Sequence, residues 1–242
     1  MSFGFNLRLA TEEDIPALHT LIEASVRGLQ AEDYAPAQIE GALGPVLGLD
    51  TQLIRDGTYF VAETKGWEED LTSGAKAHND PAASAARLTS GPVTKHGAAA
   101  ASPAALETLT GPLLAGCGGW SKRKTLFGAD RGPGRAHLTD EGPSLGIPAW
   151  RDDGMLNPAT DAAKVRAIFV HPKFARRGLG SQILARVEAE AAAAGFRRFE
   201  MGSTLTGVPL YLLRGYVEVE RIAVPLANGE VLPVVKMTKL LG

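Results

Sequence analysis

The sequence predicts an α/β fold, and three observations point to it. Seven stretches carry the alternation or the short apolar run of a strand. Apolar residues recur at helical spacing between several of them. In the last third, glycines and prolines punctuate a sequence of strand, turn, helix and strand.

Taken in order, Phe5 to Ala10 alternates, with Phe5, Leu7 and Leu9 on one face. Thr11 then reads as a helix N-cap, with Asp14 in a capping-box position and Pro16 tolerated in the first turn. Ile15, Leu18, Leu21, Ile22 and Val26 follow at helical spacing over about four turns. A second helix begins near Pro36, with Ile39 and Leu43 on its apolar side. Asp56-Gly57 is a turn, and Thr58 to Thr64 a strand. Leu113 to Phe127 reads as a strand entering a turn or a second strand. Val165 to Val170 is an apolar strand closed by His171-Pro172. Leu179, Ile183, Val187 and Ala191 then mark a helix running to about Ala194, with Gly195 at its C-cap. Phe196 to Met201 is a strand, and Val208 to Arg214 a short helix with Pro209 in its start and Gly215 at its end. Tyr216 to Ile222 and Val231 to Leu240 close the fold around a turn at Asn228-Gly229.

Two segments, about 66–112 and 128–163, interrupt this pattern. From Thr72 to Pro112, 29 of 41 residues are Ala, Gly, Ser, Thr or Pro. Such a stretch has too little to bury to offset its ordering entropy, so it reads as a flexible insertion. The alanines from Ala98 to Ala105 would instead suit a short helix. Gly128 to Thr160 is irregular and rich in Gly, Pro and Asp.

Composition narrows the function. With 45% hydrophobic and 21% charged residues the chain is an ordinary globular one. A net charge of −2 gives no general field to attract nucleic acid or an anionic membrane. Cys117 is the sole cysteine, which excludes an intrachain disulfide and a cysteine-based zinc site. The five histidines show no metal-ligand spacing, so no metal is expected. No secretory signal and no run of about 18 apolar residues is visible, and a cytoplasmic location is expected.

The chemistry concentrates in Ile168 to Leu184, IFVHPKFARRGLGSQIL. A turn holding Gly178 and Gly180 and feeding a helix leaves several backbone N–H groups unpaired. Glycine lets that backbone approach a ligand, and the helix dipole favours an anion. Arg176 and Arg177 add positive charge, so the segment suits a phosphate or pyrophosphate. The glycines alone serve packing of strand on helix equally well. Neither a P-loop nor a GxGxxG fingerprint is present.

Strand, His-Pro, Ala175-Arg-Arg-Gly-Leu-Gly180-Ser181 and helix resemble the acetyl-CoA motif of the GNAT family, Q/R-x-x-G-x-G/A. Gly178 and Gly180 hold the glycine positions; Ala175 departs from the glutamine or arginine. Val208-Pro-Leu-Tyr-Leu-Leu-Arg-Gly-Tyr216 is similar to the family's short helix ending in Y-x-x-x-G-F/Y. The resemblance covers residues 5–64, 113–127 and 164–240, and it implies one GNAT domain with a mixed sheet of six to seven strands flanked by helices. It further implies an N-acetyltransferase in which an amine, of a small molecule or a peptide, attacks acetyl-CoA directly. The cofactor-binding residues it implies are Ile168, Phe169, Val170, Arg176, Arg177, Gly178, Leu179, Gly180 and Ser181. Tyr211 would protonate the departing thiolate. An N–H of the strand at Ile168 to Val170 would stabilise the oxyanion.

The base is not assigned. Glu32, Asp33 and Tyr34 fall in the family's acceptor region, but the acidic pair itself reads as part of a solvated loop. Cys117 and Trp120 read as core residues, His171 as a turn residue, and Lys122 to Lys124 as a solvated run. A homodimer is admitted; nucleic acid and membrane partners are not expected. The competing reading is a GNAT-fold module that senses acetyl-CoA without catalysis.

Overall fold

The computed structural model describes residues 4–64, 114–126, 129–130 and 154–241. The chain falls into two units, residues 1–65 with 113–242, and residues 66–112. The second unit lies outside the described residues, as do the expected flexibility of 66–112, the alternative helix at Ala98 to Ala105 and most of 128–163.

In chain order the first unit contains β1 (Phe5–Leu9), α1 (Ile15–Leu29), α2 (Pro36–Ala42), α3 (Thr51–Arg55), β2 (Tyr59–Thr64) and β3 (Leu114–Ser121). After these come β4 (Ala163–Val170), α4 (Leu179–Ala193), β5 (Arg198–Thr204), α5 (Val208–Leu213), β6 (Val217–Pro225) and β7 (Val231–Leu240). The strands form one sheet in the order β1-β2-β3-β4-β5-β7-β6. Only β4 and β5 run parallel, so the sheet is mixed, as the sequence predicted.

Local chemistry explains how the elements begin. Asp14 accepts the Thr11 N–H at 2.7 Å, completing the capping box ahead of α1. Both terminal nitrogens of Arg8 grip the same carboxylate at 2.7 Å, and Arg8 Nε donates to Glu63 at 2.8 Å. The cap therefore also ties β1 to the end of β2. Arg8 holds Asp14 below its ordinary carboxylate range, against the upward push of burial. Helix α3 has no counterpart in the sequence reading, because five residues give little periodic signal. Its start is set by Asp50, which accepts the Gln52 N–H at 3.0 Å. Strand β5 begins two residues later than predicted, since Phe196 is used to close the turn after α4 by donating to Ala191 O at 3.1 Å.

Helices cover both faces of the sheet. Leu18, Leu21, Ile22 and Val26 of α1 share one core cluster with Tyr59, Val61, Cys117 and Phe169. Against the other face, α4 buries Leu179, Ile183, Leu184, Val187 and Ala191. This helix lies very close to β3. A Cβ at Gly118 would come within 2.6 Å of Ile183 Cγ2, and one at Gly116 within 2.8 Å of Ile183 Cδ1. Gly116 and Gly118 thus form a docking surface for a helix. Trp120 is buried with its ring edge-on to Phe196 at 5.7 Å, which places it in the core as expected.

Pairing between β4 and β5 is confined to Ala163↔Phe199 and Lys164↔Glu200. At that closed end Glu200 accepts from Lys164 and forms an ion pair with Lys236 of β7. Burial pushes the Glu200 carboxyl up, but the two ammonium groups outweigh it and hold it below the ordinary value of 4.5. A depressed folded pKa gives stability that is present above the unfolded value and lost as pH falls through the folded one. Glu200→Gln is expected to cost about 2 kcal/mol in urea denaturation at neutral pH. The gap between wild type and variant should then shrink in acid, once Glu200 is protonated in both states.

Candidate active site

Beyond Lys164 the strands β4 and β5 separate, and a cleft opens between them, lined by Ala167, Ile168, Phe169, Gly202, Thr204 and Tyr211 among others. The opening coincides with a bulge. Arg166 pairs with Gly119 and Phe169 with Cys117, which leaves Ala167 and Ile168 opposite the single residue Gly118. Ala167 takes φ 52°, a left-handed conformation that costs an L-residue energy unless its surroundings fix it.

The bulge decides which backbone groups reach the cleft. His171 donates to Ala115 O at 2.9 Å, and antiparallel strands alternate the groups they turn to a neighbour. Phe169 therefore presents its backbone to β3, while Ile168 and Val170 present theirs toward the vacated β5 side. Of the three strand residues singled out in the sequence, Ile168 and Val170 turn their backbone groups to a side where β4 has no register partner in β5, while Phe169 lines the cleft and is paired with Cys117 of β3.

The glycine turn follows the end of β4, where a Cβ on Gly180 would lie 3.8 Å from Val170 Cγ2. Pro172–Phe174 forms a short 3-10 turn, capped by His171, whose side chain accepts the Lys173 N–H at 3.2 Å. Arg176 then takes φ 60° and Gly178 φ 81°, and α4 starts at Leu179 without a side-chain cap. The N–H groups of Leu179, Gly180 and Ser181 head the helix with no acceptor in its ladder. A Cβ at Gly178 would meet nothing within 4 Å, so the backbone there is open to solvent. Arg176 and Arg177 are both exposed beside it.

Helix α5 packs against this turn. A Cβ on Gly180 would lie 3.1 Å from Leu210 Cδ2, and Arg214 Nε donates to Ser181 Oγ at 3.0 Å. Arg214 thus brings a third guanidinium to the head of α4, a contact the sequence analysis did not find because it joins residues 33 apart. Between these two contacts, on the same short helix, sits Tyr211. It is 8% exposed, stacked edge-on with Tyr216 at 5.8 Å, and it lines the cleft. Among the described residues its hydroxyl makes no hydrogen bond. Burial alone raises its pKa above the ordinary 10.

The far end of the cleft is polar and was not anticipated. Arg166 and Asp50 form a buried ion pair at 2.8 Å, with side chains 5% and 6% exposed. Gln30 lines the same cleft, 5% exposed, and its Oε1 has no hydrogen-bond partner among the described residues. By contrast, Asp33 accepts from Thr206 at 2.6 Å and Glu32 is exposed, so neither lines the cleft. Tyr34 is a structural tie: its hydroxyl donates to Pro233 O and accepts the Leu205 N–H, both at 2.8 Å. No Asp or Glu lines the cleft among the described residues, nor does any cluster of three or more His, Cys, Asp or Glu suited to a metal occur among them. The Cys117 thiol is buried and pushed up to about 12 by desolvation, which makes it inert as a nucleophile. No described helix is long and apolar enough to cross a membrane.

Residues 144–241 match the family model for an acetyltransferase (GNAT) domain. Among solved structures, a GCN5-related N-acetyltransferase from Rhodopseudomonas palustris superposes with a TM-score of 0.55 at 16% identity, covering 100% of this chain and 99% of its own. An N-acetyltransferase from Staphylococcus aureus Mu50 gives 0.49 at 14% identity, with 99% of each chain covered. The PaiA N-acetyltransferase of Thermoplasma acidophilum, solved in complex with coenzyme A, gives 0.48 at 9%, covering 98% and 99%. Comparison with curated proteins finds no match. The matched domain spans residues 144–241, which include β4 to β7 and the glycine turn heading α4, and the seven-stranded mixed sheet shares its fold with the Rhodopseudomonas palustris acetyltransferase.

Proposed function

We propose that the chain is an N-acetyltransferase that moves the acetyl group of acetyl-CoA directly to the amine of a small molecule or peptide. The observation that carries this reading is the parting of β4 and β5, with the uncapped head of α4 following the end of β4 and Tyr211 lining the cleft. The groups present suit acetyl-CoA. The amides of Leu179, Gly180 and Ser181, with Arg176, Arg177 and Arg214 around them, offer donors and charge to a diphosphate. Open space over Gly178 admits its approach. Ile168 and Val170 offer backbone groups to the amides of a pantetheine arm, as an added strand would.

The reacting groups then follow in order. Ile168 N–H donates to the thioester oxygen and stabilises the charge that develops as the amine nitrogen bonds to the carbonyl carbon. The C–S bond breaks, and Tyr211 gives its proton to the departing sulfur. The amine's surplus proton leaves to water, since no carboxylate of the described residues lines the cleft. Desolvation raises Tyr211, but the same cleft disfavours a thiolate, so acid and leaving group shift in the same direction. Gln30 and the Arg166–Asp50 pair belong to the acceptor end in this reading. The chain would work as one GNAT domain, with 66–112 and 128–163 as insertions.

Tyr211→Phe is expected to lower kcat about 100-fold while leaving acetyl-CoA affinity unchanged, measured by thiol release and calorimetric titration. Native turnover in that variant would make Tyr211 a packing residue. Binding of acetyl-CoA by the wild type with no turnover on any amine would favour the non-catalytic module. The pH dependence has a definite sign. Burial keeps the phenol protonated, so any alkaline limb of kcat owed to Tyr211 should lie above pH 10. Gly178→Ala forces φ 81° on a residue with a Cβ at a strain of about 1 kcal/mol. It should weaken coenzyme A binding several-fold, with only a small change in melting temperature.

A further inference from the structure

We propose that Tyr59 is a positioning residue: from beneath the sheet, its hydroxyl holds the Ala167 carbonyl and thereby aims the Ile168 N–H at the thioester. This rests on the acetyl-transfer reading and adds to it a residue that touches neither substrate.

Tyr59 belongs to β2, two strands from the cleft, and is fully buried. Its hydroxyl lies 3.1 Å from Ala167 O and 3.1 Å from Cys117 Sγ, and that sulfur lies 3.9 Å from the same carbonyl. The ring reaches β4 by crossing Gly119, where a Cβ would come within 2.7 Å of Tyr59 Cδ2. A glycine in β3 therefore opens the path for a hydroxyl that ends on the bulge. The carbonyl it meets has no register partner in β3 and lies beyond the last paired residue of β4 toward β5.

Peptide geometry transmits that contact. In a planar trans peptide the carbonyl of Ala167 and the N–H of Ile168 point in opposite directions. Fixing the oxygen on Tyr59 fixes the N–H away from it, in a residue that lines the cleft. A hydrogen bond accepted by the carbonyl also polarises the peptide and strengthens its N–H as a donor. The left-handed φ of Ala167 is the strained state that needs such a clamp. Burial pushes the Tyr59 phenol well above its ordinary range, so it stays a donor throughout the working pH.

The test uses the whole chain and acetyl-CoA carrying a 13C label in its acetyl carbonyl, followed by difference infrared spectroscopy. Wild type is expected to shift the carbonyl band of bound acetyl-CoA to lower frequency than in water. In Tyr59→Phe, which keeps the ring, that shift should shrink. With an amine the wild type acetylates, kcat should fall about 10–100-fold while acetyl-CoA affinity stays within about twofold. Site-specific replacement of Tyr59 by 3,5-difluorotyrosine, a stronger donor of nearly the same shape, should enlarge the shift, and it serves as the test if the phenylalanine variant does not fold. An unchanged band and kcat in these variants would overturn the role of Tyr59 and leave acetyl transfer standing. A wild type that shows no bound acetyl-CoA band would overturn both.

Discussion

The early end of pairing between β4 and β5 is the constraint on which the rest of the structure depends. Backbone N–H and C=O groups inside a protein need partners, and a central parallel pair normally supplies them along its length. Here two residue pairs are made, and the strands then part at the Ala167 bulge. The closed end is pinned by Glu200 between Lys164 and Lys236, so the gap opens in one direction only. A sheet built this way carries unmet hydrogen-bonding capacity in its middle. In the proposed reading an extended amide-bearing ligand satisfies it, as a missing length of strand would.

Two helices turn that gap into a site. Helix α4 begins on a left-handed glycine and exposes its first amides, while α5 closes over the same start through Leu210 and Arg214. The packing that supports the head of α4 therefore also sets Tyr211 in the cleft. Charge is distributed to match. Arg176, Arg177 and Arg214 lie at the exposed turn, whereas Arg166, which lines the cleft, is paired with the buried Asp50 behind it. In the proposed reading a diphosphate is drawn to that rim.

What could be read in the sequence was local. Strand alternation, the Thr11–Asp14 cap, the Gly178–Gly180 turn and the four-residue period of α4 all depend on neighbours within a few residues. Each appears in the structure close to where the pattern put it. Pro209 and Gly215 marked the short helix, but Tyr211 within it was singled out only by the resemblance to Y-x-x-x-G-F/Y, since a tyrosine on an apolar helix otherwise reads as core. The splay itself was not legible, since nothing in Val165 to Val170 says where a partner strand stops. Nor does the strand's sequence mark Arg166 as the partner of Asp50, 116 residues earlier. Gln30 and Tyr59 were invisible as site residues for the same reason: one ends a helix and the other opens a strand, and only the tertiary fold points them toward β4.

The most direct measurement of this account is amide hydrogen exchange of Ile168 and Val170, followed by NMR with and without acetyl-CoA. Both amides face a gap with no strand partner, so they should exchange readily in the free protein and become strongly protected when acetyl-CoA binds. The Phe169 amide, already turned to β3, should be protected in both. Acetyl-CoA that binds while leaving Ile168 and Val170 exchange unchanged would contradict the claim that the parted strands are its site.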